Sequence, residues 1–273
     1  VNNNKRFVVG LVVVVMAGVL FFALLQGLNM GGPMPTPTPF VPAQGSVTIT
    51  KQLLDAGKYV EAVAMLEPLV AQDSKNAELQ FQLGLGYFNL QRYDEAETAF
   101  KTALILDATR AGAVHHNLGA LAYQQGLMEQ AVQEFQEALK TDPNDPDTHY
   151  QLGAAYLIMA VPEGTVTNPQ LISLAETEFQ KALELAPDRI EPSIGLGTVY
   201  RLQNRPQEAV SALEPVVEAN PQMSEALFAL GQSYAAAGDL ARATEMLQRF
   251  LDTNPPDVWA EQARALMKQL GTP

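Results

Sequence analysis

Apolar and polar positions along this chain fall into a register that returns about every 34 residues. Small apolar anchors stand at Ala62, Ala96, Ala131, Ala175, Ala209 and Ala243, in steps of 34, 35, 44, 34 and 34. A Leu-Gly pair precedes five of them, ending at Gly84, Gly119, Gly153, Gly197 and Gly231. Three residues after the glycine comes an aromatic (Tyr87, Tyr156, Tyr200, Tyr234), except in the third unit, which has Ala122 there and Tyr123 next. Four residues after each alanine is a large apolar side chain: Leu66, Phe100, Phe135, Phe179, Leu213 and Leu247. Twelve after it, Pro143, Pro187, Pro221 and Pro255 close four units. A period of this length predicts an all-α array of helix pairs, each too small to bury its own apolar face and therefore stacked on its neighbours. Gly and Ala let the two helices approach closely, the aromatic and large apolar residues fill the space between units, and proline stops the second helix.

These residues resemble the tetratricopeptide repeat (TPR) over about 43–257. The resemblance implies a right-handed α-solenoid of six helix pairs at 43–76, 77–111, 112–145, 146–189, 190–223 and 224–257. The first unit is degraded, with Thr50 at the glycine place and Ser74 at the proline place, which suits a cap. Residues 258–273 read as a closing amphipathic helix with Trp259, Ala263, Leu266, Met267 and Leu270 on one side. Ten extra residues in unit four, 160–169, replace the usual tight turn by a loop that either contributes to binding or is simply tolerated.

A second pattern lies ahead of the array. Phe7 to Leu25 is 19 residues without a charge or strong polar group, between Lys5-Arg6 and Gln26-Gly27. A helix of that length spans about 29 Å, enough to cross a bilayer core. A cleavable signal peptide is the rival, but its apolar stretch is shorter and ends in a small-x-small site, and no convincing one follows Leu25. The expectation is therefore a single transmembrane helix over 7–28 after a cytoplasmic N-terminus at 1–6. No basic residue follows Arg6 until Lys51, so the positive-inside bias exports the repeats. In a bacterium, which Val1 read as a GTG start would suit, that means the periplasmic side of the plasma membrane. The linker 29–42 holds five prolines between Pro33 and Pro42 and would be an extended polyproline II stalk of about 40 Å.

Charge and chemistry narrow the function. The chain carries 17 basic and 30 acidic residues, and Lys5 and Arg6 are the only charges before residue 43. Such an array has no footprint for nucleic acid, whose binding rests on phosphate contacts. The absence of cysteine excludes a lipid-anchored lipoprotein and any Cys-based nucleophile or metal site. There is no phosphate-cradling glycine loop and no His-Glu-x-x-His helix, so no catalytic, cofactor or metal residue is assigned. His115 and His149, 34 residues apart, read as packing residues at equivalent places that could come near one another.

The resemblance implies that first helices line a concave groove. Its exposed places would hold Phe81, Leu85, Phe88 and Asn89 in unit two, and His116, Ala120, Tyr123 and Gln124 in unit three. Unit four would add Tyr150, Ala154, Leu157 and Ile158; unit five Ile194, Thr198, Arg201 and Leu202; unit six Phe228, Gln232, Ala235 and Ala236. The Lys, Asn and Arg clamp by which some members grip chaperone C-termini is absent. An apolar, aromatic groove suits an amphipathic helix or extended apolar segment of a protein partner. The expected role is a membrane-anchored interaction scaffold, not an enzyme, that helps assemble or organise an envelope complex. A holdase-like chaperone for exported proteins and a structural subunit of a respiratory or photosynthetic complex are the alternatives. The partner and oligomeric state stay open.

Overall fold

The computed structural model describes residues 44–162 and 166–271. The expected membrane helix 7–28 and the stalk 29–42 lie outside them, and among the described residues no helix is long and apolar enough to cross a membrane. The described residues form thirteen α-helices and no strand. They pair as α1 (Gln44–Asp55) and α2 (Tyr59–Gln72), α3 (Ala77–Asn89) and α4 (Tyr93–Leu106), α5 (Ala111–Gln124) and α6 (Met128–Thr141). Then follow α7 (Pro146–Ala160) and α8 (Pro169–Leu185), α9 (Glu191–Leu202) and α10 (Pro206–Ala219), α11 (Ser224–Ala237) and α12 (Leu240–Asp252), and the closing α13 (Asp257–Gln269). Each helix packs on the next, and first helices also touch the first helix of the neighbouring unit.

The sequence register maps onto specific contacts. All six anchoring alanines are fully buried, as are Leu66, Phe100, Phe135, Leu213 and Leu247. Glycine is required where those large side chains lie against the first helix: a Cβ on Gly84 would sit 2.6 Å from the Phe100 ring. Thr50 stands at the glycine place in unit one, fully buried, with its hydroxyl 2.9 Å from the Val47 carbonyl and 2.5 Å from Gln82 Oε1 of unit two. Asn76, Asp145, Asn168 and Asp239 start α3, α7, α8 and α12 by accepting a backbone N–H of the first turn. Five of the six pairs turn through one left-handed residue at an equivalent place: Gly57, Gln91, Gly126, Asn204 and Gly238. Unit four lacks it, because α7 runs on to Ala160 and the longer loop ties back through Thr167 N–H to the Ala160 carbonyl at 2.9 Å.

Phenols tie units together. Tyr87 donates to Glu67 of the preceding unit (2.9 Å), with the Arg92 guanidinium 4.2 Å above its ring. Tyr234 donates to Glu214 in the same way, under Arg242 at 4.4 Å. Tyr156 and Tyr200 accept from Gln136 (2.8 Å) and Gln180 (3.3 Å). Unit three, with Ala122, has no such tie to unit two.

The apolar interior divides into three clusters. The first runs from Leu54 to Leu121 and the second from Ala122 to Val199. The third runs from Ile194 to Ala263.

Candidate functional site: the hollow lined by first helices

The rows proposed for the groove differ in what they offer. Three residues before the glycine stand Phe81, His116, Tyr150, Ile194 and Phe228. Phe81, His116 and Tyr150 rest on Phe100, Phe135 and Phe179 at 5.8, 6.0 and 6.0 Å between ring centres. This row is the floor of the hollow. Two members expected at its surface are buried: Ile194 is 6% exposed and Phe228 8%. Ile194 packs into the interior cluster of units five and six, and Phe228 is covered by Phe250 at 4.9 Å. Leu85, Ala120, Ala154, Thr198 and Gln232 are half-buried one residue after the glycine. Phe88, Tyr123, Leu157, Arg201 and Ala235, four residues after it, are also half-buried. Asn89, Gln124, Ile158 and Ala236 form the open row, where Ile158 is 44% exposed, and Leu202 is half-buried.

The Tyr150 phenol is held above its ordinary pKa first by burial, then by the charges of Tyr123, Glu225 and Glu191, with Arg189 opposing. Tyr123, Tyr150, Glu191 and Glu225 stand on the first helices of units three, four, five and six. Arg201 is half-buried with no side-chain hydrogen bond or ion pair among the described residues, and burial pushes its guanidinium pKa down.

One lining row escaped the sequence reading. Six residues before the glycine stand Glu78, Asp147, Glu191 and Glu225, and Ala113 in unit three. Glu78 pairs with Arg110 at 2.7 Å, Asp147 with Arg189, and Glu191 with Arg189 at 3.7 Å. The return of Asp or Glu at this place in four of the five units was the available signal.

The histidines hold helices together. His115 Nδ1 donates to Glu134 Oε2 (2.7 Å) and His149 Nδ1 to Glu178 Oε2 (2.6 Å), each within its own unit. His149 Nε2 also lies 3.0 Å from the Pro143 carbonyl. His116 lies 2.6 Å from the Thr148 hydroxyl and 3.5 Å from Asp145, so it ties unit three to unit four rather than standing free in the hollow. Among the described residues no group of three or more His, Asp or Glu is placed to hold a metal.

Stacked helix pairs around a lined hollow define a helical-repeat interaction module. Family models for the tetratricopeptide repeat match residues 53–121, 121–158 and 194–269. The chain belongs to the tetratricopeptide repeat family, whose fold is typically a non-catalytic protein-interaction module. Among solved structures it is similar to PilF of Pseudomonas aeruginosa (TM-score 0.68, 17% identity), over 81% of this chain and 96% of that one. It is also similar to YrrB, a TPR protein described as having an unusual peptide-binding site (TM-score 0.58, 21% identity), over 73% of this chain and 97% of that one. Against the Cut9–Hcn1 assembly of the APC/C (TM-score 0.67, 18% identity), 82% of this chain is covered but it spans only 42% of that one. No curated protein matches the chain.

Proposed function

We propose that this protein is a membrane-anchored scaffold whose hollow receives a segment of a protein partner and so helps assemble or organise a bacterial envelope complex. The observation that carries the binding part is the apolar and aromatic first-helix surface with an unpaired arginine in it. Tyr123, Tyr150 and Arg201 are half-buried on the first helices of units three, four and five, Ile158 is exposed, and Arg201 has no ion-pair partner among the described residues. A desolvated guanidinium costs stability unless an anion completes it. An apolar segment with a carboxylate opposite Arg201 is therefore the best-matched guest. YrrB, similar in fold, is described as peptide-binding, which supports the reading by analogy. Anchoring rests on the apolar run at 7–25 and the basic pair before it, which also give the orientation with the array outside the plasma membrane.

The test is photo-crosslinking in intact membranes, with the reactive group at Ile158 in the hollow or at Glu137 on the solvent face of α6. The expected result is one dominant adduct from Ile158, absent from Glu137 and reduced by Arg201→Gln. A smear of unrelated exported proteins from Ile158 would replace the scaffold by a holdase. Equal labelling from both positions would remove the hollow as the binding site.

A further inference from the structure

At the far end of the hollow, α13 closes a cavity of about 430 Å³ against unit six. Its floor is Phe228 on Phe250, and Trp259 meets Phe228 edge-on at 5.7 Å between ring centres. Pro255 and Pro256 form a wall, and Glu225 stands at the side. Trp259 was expected on the packed side of α13, yet it is 50% exposed. It stands 34 residues after Glu225, so in α13 it takes the place that the acidic row holds in earlier units.

The rest of the array shows what such a cavity accommodates. In unit two, Glu78 and Phe81 lie one turn apart. Arg110 pairs with Glu78 at 2.7 Å while its guanidinium sits 5.8 Å from the Phe81 ring centre. In unit four, Asp147 and Tyr150 have the same spacing, and Arg189 bridges them, 5.9 Å from the Tyr150 ring centre. Unit six repeats the acid and the ring as Glu225 and Phe228, but its arginines are engaged elsewhere, Arg242 with Glu214 and Asp239 and Arg249 with the Pro221 carbonyl. Thirty-two residues after Glu78 is Arg110; the same step from Glu225 reaches Asp257, another acid, exposed at the start of α13. Neither Glu225 nor Asp257 has an ion-pair partner among the described residues, and no Lys or Arg lines the cavity.

We propose that this end cavity takes an arginine or lysine side chain from a partner segment, in the place where Arg110 and Arg189 serve units two and four. The aliphatic stem would lie along Phe228 and the prolines, with the charged head between the Trp259 face and the Glu225 carboxylate. Arginine is favoured over lysine, because its planar guanidinium both stacks on a ring and meets a carboxylate through two N–H groups. The site deepens the interaction-scaffold reading and rests on it for its biological setting, but its chemistry can be tested alone.

Trp259 is the only tryptophan in the chain, so intrinsic emission reports on this cavity directly. The full chain in lipid nanodiscs is titrated with blocked pentapeptides carrying one central arginine, lysine, norleucine or glutamate among glycines. The expected result is a saturable change in emission with arginine, weaker with lysine, and about tenfold weaker or absent with norleucine and glutamate. Glu225→Gln should weaken the arginine peptide by about fivefold or more, with the thermal transition unchanged. Norleucine binding as well as arginine would overturn the cationic specificity, and no saturable change with any peptide would remove the site. An unaltered arginine titration in Glu225→Gln would overturn the role of the carboxylate. If crosslinking from Ile158 fails while the arginine titration succeeds, the hollow reading falls and this one stands; the reverse separates them equally.

Discussion

Where unit five meets unit six, Tyr234 donates to Glu214, and Arg242 lies over the ring and reaches the same carboxylate at 3.3 Å. Where unit two meets unit three, Ala122 stands at the tyrosine place and Thr102 at the glutamate place, and Thr102 spends its hydroxyl on its own helix (Thr98 carbonyl, 2.7 Å). The second junction keeps the apolar packing of Val114, Leu118 and Leu121 in the first cluster. The contrast separates two jobs that a repeat merges. Shape-filling side chains are needed at both junctions, whereas the polar tie is graded from one junction to the next. In a one-dimensional array, each neighbour coupling adds to stability separately.

The wedge residues should show the common part. Phe100→Ala should cost about 3–5 kcal/mol and Leu213→Ala about 2–5 kcal/mol by denaturant unfolding, since both are fully buried against a first-helix glycine. A much smaller loss at Phe100 would mean that the junction after unit two is loose in its apolar contacts as well.

The polar part should show in Tyr234→Phe, with a loss of about 1 kcal/mol at neutral pH. Burial first, and then the bond to Glu214, push the Tyr234 phenol up to about 12. The folded state therefore binds that proton more tightly than the unfolded chain does. The stabilisation is complete below the ordinary tyrosine range and is lost as pH rises from about 10 to about 12. Chemical denaturation against pH should show this alkaline slope in the parent protein and a shallower one in Tyr234→Phe. An unchanged slope would mean that the phenol does not couple the two units.

A third, smaller effect belongs to the junction of units three and four. The Asp145 carboxyl is held well below the usual carboxylate range, first by its hydrogen bond with His116 and then by Thr148 and backbone N–H donation. A depressed carboxyl contributes above its unfolded pKa of about 4, and the contribution fades as pH falls below that value. Asp145→Asn should therefore flatten the acid limb of the stability profile while leaving the alkaline limb in place.

The helical array was legible because its signals are local and steric. A 34-residue recurrence of small residues opposite large ones admits few packings, and Ala62 through Ala243 are all buried as that register requires. The hollow was less legible, because the repeat places a residue on a face without setting how far its neighbours cover it. Ile194 and Phe228 sit at the same place as Tyr150, yet local packing buries them. Trp259 went the other way: the amphipathic pattern of α13 put it inside, while its register with Glu225 puts it at the mouth of a cavity. The acidic row was overlooked because surface carboxylates are common on helices, and the arginines that give it meaning lie 32 to 42 residues away.

The three apolar clusters change hands inside helices, not between units. Val114, Leu118 and Leu121 of α5 belong to the first cluster, whereas Ala122 on the same helix belongs to the second. In α9, Leu196 and Val199 close the second cluster and Ile194 opens the third. Each of these helices is the lid of the block before it, as α13 is for unit six through Ala263. The modules that can be moved between proteins are therefore offset by one helix from the modules that repeat in the sequence. A fragment ended after α5 would carry its own roof, and one ended at the sequence boundary after α4 would leave its last apolar layer open to water.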